Sequence, residues 1–122
     1  MIGYVTLGSN DLAASAIFFD GLFGALGGKR AYTLEHQIGY SFGPNLPMIL
    51  VTTAHNGKAA TSGNGTMVAL LARDRDHVDA TYALALVLGG TDEGAPGPRG
   101  KQFYGGYFRD LDGNKFNICL MS

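Results

Sequence analysis

The tripeptide Leu26-Gly27-Gly28 returns as Leu88-Gly89-Gly90, 62 positions further along a chain of 122 residues. Each copy follows a stretch of helical period. In the first, Leu12, Ala16, Phe19 and Phe23 recur on one face, behind Asn10 and Asp11, which offer an N-cap and a first-turn acid. In the second, Asp74 and Asp76 precede Val78, Tyr82, Ala85 and Leu86. Glycine just past the last apolar residue is a common helix stop, because it adopts the left-handed conformation without strain. Gly24 or Gly27 ends the first helix and Gly89-Gly90 the second; the shared tripeptide marks a duplicated unit, and such a period decides the fold.

The flanking segments carry the same plan. Runs rich in β-branched and apolar residues precede each helix: IGYVTLG at 2–8 and TMVALLA at 66–72. After the first helix, strands are predicted over 28–34, 37–43 and 47–53, the last two joined by Gly43-Pro44-Asn45. After the second, a short strand is predicted near 91–94. GAPGPRG at 94–100 is expected to hold no regular structure, since proline cannot donate to a strand ladder. Strands over 103–109 and 115–121 follow, joined by Asp110-Leu111-Asp112-Gly113-Asn114. Gly39-Tyr40-Ser41-Phe42 matches Gly106-Tyr107-Phe108-Arg109 in the letters. The polar, glycine-rich stretch 54–65 reads as a linker. The expectation is one α+β domain over 1–122, with module 1 about 1–53 and module 2 about 66–122. The two βαβββ modules form a curved mixed sheet around a groove, with the helices outside. A half of roughly 60 residues is marginal alone, so the two halves must pack together.

Composition narrows the function classes. Hydrophobic residues make up 46% and charged residues 16%, which excludes a disordered chain. A net charge of -1 gives no field that favours nucleic acid or an anionic membrane. No apolar run approaches the ~18 residues of a membrane span. The single cysteine excludes a disulfide framework or a Cys-rich zinc site. No G-x-G-x-x-G loop is present, and no signal peptide is visible. These readings predict a cytoplasmic protein without nucleic-acid or membrane partners.

Alternation within strands sketches the groove. Ile2, Tyr4 and Thr6 share one face of the first strand; Met67, Ala69 and Leu71 share one face of its repeat; Asn117, Cys119 and Met121 share one face of the last. The wall is apolar with Tyr4, Thr6 and Asn117 as polar handles. It suits an organic ligand, or else fills the core of a small barrel. Arg99, Lys101, Arg109 and Lys115 cluster near Tyr104. They form either a rim for an anionic ligand, with Arg99 as a bidentate clamp, or surface charge balanced by Asp92, Glu93, Asp110 and Asp112. His36 falls at a turn, His55 in the linker and His77 on the outer face of the second helix, so none reaches the groove. Cys119, buried among apolar neighbours, is expected to be an inert thiol.

Tyr107-Phe108-Arg109-Asp110-Leu111-Asp112-Gly113-Asn114-Lys115 resembles the strand, D-x-D-G-N turn and final strand of the vicinal oxygen chelate superfamily, which holds glyoxalases, bleomycin-resistance proteins and extradiol dioxygenases. The opening Val5-Thr6-Leu7-Gly8-Ser9-Asn10-Asp11-Leu12, with Phe18-Phe19, is similar to the family's own. The run from Val78-Asp79-Ala80 through Gly89-Gly90-Thr91-Asp92-Glu93 to Pro98-Arg99 resembles a glyoxalase-like bacterial branch. The resemblance implies a divalent metal held by His or Gln on a first strand and Glu on a last strand of each half. Carried over position by position, these ligand sites fall on Tyr4, Met67, Leu50 and Asn117, none of them His, Glu, Asp or Cys. The expectation is therefore no metal and no cofactor. The protein would bind a small organic molecule, with a glyoxalase-like lyase or dioxygenase as the alternative. The candidate groove residues are Tyr4, Thr6, Leu50, Met67, Ala69, Arg99, Tyr104, Asn117 and Cys119. The resemblance also implies a homodimer, since short family members commonly pair so that their grooves form at the interface.

Overall fold

The two helices begin at aspartates. In a computed structural model that describes residues 1–121, Asp11 Oδ1 accepts the Ala14 N–H at 3.1 Å and Asp74 Oδ1 accepts the His77 N–H at 2.8 Å. Ser122, counted into the second module, lies outside the described residues. Helix α1 spans Leu12–Gly24 and α2 spans Arg75–Val87. Both stop at the repeated tripeptide. Gly27 and Gly89 take the left-handed conformation, with φ of 80° and 107°. The next N–H turns back onto the helix, from Gly28 to Phe23 O at 2.7 Å and from Gly90 to Ala85 O at 2.8 Å.

Four strands flank each helix. In the first half they are β1 (Tyr4–Gly8), β2 (Lys29–Thr33), β3 (Gln37–Ser41) and β4 (Met48–Thr52). In the second they are β5 (Met67–Leu71), β6 (Thr91–Pro98), β7 (Phe103–Arg109) and β8 (Lys115–Met121). The sheet orders are β1-β4-β3-β2 and β5-β8-β7-β6, each with one parallel pair, β1 with β4 and β5 with β8. The architecture is two βαβββ modules of α+β class, as the repeat predicts. The two sheets remain separate: no Cα of β1 lies within 8 Å of a Cα of β5. Among the described residues no helix is long and apolar enough to cross a membrane.

Two readings need correction. Strand β6 continues through Gly94-Ala95-Pro96-Gly97 to Pro98, where no regular structure was expected. It is an edge strand paired only with β7, and its register shifts between Asp92 and Gly94 and again between Gly94 and Gly97. Prolines are tolerated at edges and bulges, where their missing N–H breaks no ladder. The letter match between Gly39 and Gly106 is also one residue out. Thr6 and Ala69 pair with Leu50 and Asn117, which in turn oppose Gly39 and Tyr107. Gly39 thus corresponds to Tyr107 and Tyr40 to Phe108. The connection between β3 and β4, residues 42–47, is one residue longer than that between β7 and β8, residues 110–114. A one-residue slip exchanges the faces of a strand. The buried side chains settle the register, with Tyr40 and Phe108 both in the core.

That core runs through both modules. Phe23 stands edge-on to Tyr40 at 5.1 Å and stacks on Phe19 at 4.8 Å; Phe19 meets Phe116 at 5.9 Å, and Phe116 stacks on Phe108 at 5.5 Å. The chain of rings passes from β3 through α1 to β8 and β7. Each fully buried ring contributes roughly 2–3 kcal/mol by leaving water.

Polar contacts lock the modules. Asp112 Oδ1 accepts the Asn10 N–H at 2.9 Å, and its Oδ2 accepts the Ser15 hydroxyl at 3.1 Å. Asn114 Nδ2 donates to Gly8 O at 3.0 Å and to Asp110 Oδ2 at 2.8 Å. Burial pushes the Asp110 carboxyl up, against the pull of its hydrogen bonds from Asn114 and Asp112. His77 is not an outer bystander. Its Nδ1 accepts the Arg73 N–H at 3.1 Å, so Nε2 carries the proton and donates to Ala25 O at 2.8 Å, tying the helices together. Asn114 is buried, and its removal orphans Gly8 O. We expect Asn114→Ala to lower the unfolding free energy by about 1–3 kcal/mol in urea titration. An unchanged midpoint would show that the turn does not clasp the first module.

Candidate functional site

Residues directly opposite in a sheet share a face. In the second sheet the core takes Phe108, Phe116 and Ile118, so the intervening residues line the open face, turned away from the helices. Its floor is Asn117 and Cys119, 1% and 0% exposed, opposite Tyr107 and Gly105. Asn117 Nδ2 donates to Gly106 O at 3.0 Å. A Cβ at Gly105 would stand 2.9 Å from Ile118 O and 3.0 Å from Asn117 Nδ2, so only glycine lets the buried amide lie there. The β5 wall is exposed: Met67 at 44% and Leu71 at 66%, with Ala69 between them.

Tyr107 holds the centre of this face. The Arg99 guanidinium lies 5.7 Å from its ring centre and the Lys115 ammonium 5.6 Å. Arg99 is steadied by donating to Ala95 O at 2.8 Å. Neither cation has a carboxylate within ion-pairing distance among the described residues. Arg109 does: its Nε donates to Glu93 Oε1 at 2.5 Å, and the guanidinium holds the Glu93 carboxyl below the usual range. Burial pushes the Cys119 thiol up, which keeps it protonated at neutral pH.

The first sheet has a corresponding open face. Tyr4 is 61% exposed, Thr6 is exposed, and Leu50 lies against Gly39 and Thr6 at 8% exposure. The Tyr32 ring covers Gly39, and its hydroxyl donates to Gln37 Oε1 at 2.6 Å. Tyr32 and Tyr107 thus centre the two faces, one reaching over a glycine and the other standing at the glycine's equivalent.

The nine groove candidates fall into two groups and one outlier. Tyr4, Thr6 and Leu50 belong to the first face. Met67, Ala69, Arg99, Asn117 and Cys119 belong to the second. Within one chain the groups are apart, because β1 and β5 do not touch. Tyr104 stands on the helix side, where its hydroxyl donates to Asp79 Oδ1 at 2.7 Å and the Arg75 guanidinium covers its ring at 4.7 Å. Tyr107, Tyr32 and the place of Lys115 on the open face escaped the sequence reading. Counting back across the five-residue turn from Asn117 would have found Tyr107.

The donor set does not fit the divalent metal that the resemblance implies. Leu50 has no donor atom, and Met67 offers a soft thioether. Tyr4 offers a phenol. Asn117 has committed its NH2 group, leaving one neutral oxygen. His36 and His55 are exposed. Among the described residues no three of His, Cys, Asp and Glu converge.

Between β1 and β5 lies an apolar hollow of about 550 Å³, lined by Val5, Ile49, Val68 and Leu70 and reaching Phe42 and Leu26. Both bordering strands are edges with a free side.

The chain is similar to a glyoxalase/bleomycin resistance protein from Albidiferax ferrireducens T118 of known crystal structure, with 36% identity, a TM-score of 0.92, and 100% of this chain and 99% of that one covered. It shares its fold with a glyoxalase-related enzyme from Fulvimarina pelagi, at 23% identity and a TM-score of 0.82, covering 98% and 87% of the two chains. It also shares its fold with a lactoylglutathione lyase from Agrobacterium tumefaciens, at 20% identity and a TM-score of 0.72, covering 98% and 92%. No curated protein matches the sequence. Residues 1–118 match the Glyoxalase/Bleomycin resistance protein/Dioxygenase superfamily, and with its duplicated βαβββ unit the chain belongs to that family.

Proposed function

We propose that this member of the superfamily is a metal-independent binder of small organic molecules. Its ligand rests on the open face of the second sheet. The observation that carries the reading is Tyr107, with two cations within 6 Å of its ring that form no ion pair among the described residues. An aromatic face flanked by cations suits an organic body with an anionic end: the body stacks on Tyr107 and against Met67 and Leu71, and Arg99 and Lys115 balance the charge. Asn117 beneath supplies one directional polar contact. The lyase or dioxygenase reading rests on fold alone, and fold does not fix chemistry. The donors at Tyr4, Leu50, Met67 and Asn117 give it no metal to work with.

The active form in this reading is a homodimer. One chain leaves Ile2 exposed just before β1, Tyr4 on β1, Met67 and Leu71 on β5, and Met121 on β8. Unpaired edges and apolar faces favour association. A twofold pair setting β1 of one copy against β5 of the other would close each second-sheet face with the first-sheet face of the partner. The single reduced thiol suits work in the cytoplasm.

Four measurements test this reading. N-phenyl-1-naphthylamine, a neutral fluorescent probe, should brighten on binding the protein. Tyr107→Ala should weaken that binding at least tenfold, and equal affinity in the variant would refute the site. Light scattering at micromolar concentration should give about twice the 12.8 kDa chain mass; a monomer mass would remove the paired site. Elemental analysis should find well under one divalent metal per chain. Tyr4→His with Met67→His and Asn117→Glu should gain metal affinity by calorimetry. Stoichiometric metal in the unaltered protein would overturn the metal-independent reading.

A further inference from the structure

We propose that a second pocket, where the segment 61–66 arches over the start of β5 and β8, is a subsite for the phosphate group of a phosphate monoester. The proposal rests on the open-face reading and names the charged end of that ligand.

The pocket has a volume of about 690 Å³ and two cations, Arg109 and Lys115, in its lining. No carboxylate lines it. The remaining polar groups are the hydroxyls of Thr61, Ser62 and Thr66 and the amide of Asn64. Among the described residues none of these side chains makes a hydrogen bond. The segment is nevertheless held. Just before it, Asn10 clasps Ala60 twice, accepting the Ala60 N–H at 2.7 Å and donating to Ala60 O at 3.2 Å.

The two cations differ in what they have left to give. Arg109 is oriented by Glu93 at 2.5 Å and by Gly113 O at 2.8 Å, and its Nη2 has no partner among the described residues. Glu93 cancels its charge. Lys115 reaches the Tyr107 ring and feels Glu93 without forming an ion pair among the described residues, so the two cations face one carboxylate and the pocket keeps excess positive charge. A carboxylate presents two oxygens and one charge. A phosphate monoester presents three oxygens and about 1.5–2 charges at neutral pH. Two cationic donors, three hydroxyls and an amide exceed what a carboxylate can use, and they match a phosphate. Met67 and Lys115 belong both to this pocket and to the open face. A ligand anchored here by phosphate would run its organic part toward Tyr107.

Calorimetric titration of the full chain with inorganic phosphate, then with acetate, tests the subsite in low-salt chloride buffer. Phosphate should bind with a Kd on the order of 1 mM, at least tenfold tighter than acetate. Lys115→Gln should weaken it at least tenfold. Ser62→Ala with Thr66→Ala, in an exposed segment, should weaken it several-fold and serves if the lysine variant misfolds. Arg73→Gln, exposed and outside the pocket, should change nothing. Acetate binding as tightly as phosphate, or an unchanged Kd in both pocket variants, overturns the proposal. Titration with N-phenyl-1-naphthylamine separates the two ideas. Probe binding without phosphate binding refutes the subsite and leaves the open-face reading. Phosphate binding without probe binding upholds the subsite and refutes the open-face reading.

Discussion

Everything in this structure depends on the contact between Phe19 of α1 and Phe116 of β8, 5.9 Å apart. Neither half of the chain has enough interior of its own, since a module of roughly 60 residues buries too small a share of its surface. The two halves solve this by sharing one core. Phe18, Phe19, Leu22 and Phe23 of α1, Val78 and Ala85 of α2, and the helix-facing residues of both sheets make a single cluster. The polar contacts of Asp112 and Asn114 then set the orientation that the rings alone would leave loose. Hydrophobic burial has no direction, whereas a buried amide donating to Gly8 O does.

Sharing the core by the helix faces has a geometric consequence. The opposite faces of both sheets are left open, and β1 and β5 keep free edges. The two repeats have diverged on those faces while keeping their core positions alike. Ile49 and Val51 correspond to Phe116 and Ile118, apolar on both sides of the repeat. On the open faces, Leu50 corresponds to Asn117 and Gly39 to Tyr107. The first face presents Tyr4, Thr6, Tyr32 and Gln37, with Lys29 at its outer edge. The second carries Arg99, Lys115 and a buried amide. Packing conserves the scaffold, and the exposed pleat carries the difference in chemistry.

Much of the fold is legible in the letters because local physics writes it there. Asp11 and Asp74 cap, the apolar stripes bury, and Gly27 and Gly89 turn the chain as their positive φ requires. The βαβββ duplication follows from those signals. What is not legible depends on partners distant in sequence. The prolines of β6 forbid a central strand, and only the pairing with β7 reveals an edge that tolerates them. Tyr107 is hidden by an alignment of letters that ignores the longer β3–β4 connection. Tyr104 looks like part of the basic cluster, yet it faces α2, because one step along a strand changes the side. His77 sits where a helix is outermost in a single module, and only the second module's docking brings it to Ala25. The metal-ligand positions are what the resemblance implies, and the lack of donors there is plain from the residues themselves.

Native-state hydrogen exchange tests the shared core most directly. Val51 lies in the central strand of the first sheet and Ile118 in that of the second, both buried. If one core serves both modules, the amides of Val51 and Ile118 exchange only by global unfolding. Their opening free energies then equal each other and the free energy from urea titration. A first-module amide that opens well below its second-module counterpart would show two cores, each stable or unstable by itself, and would contradict the account.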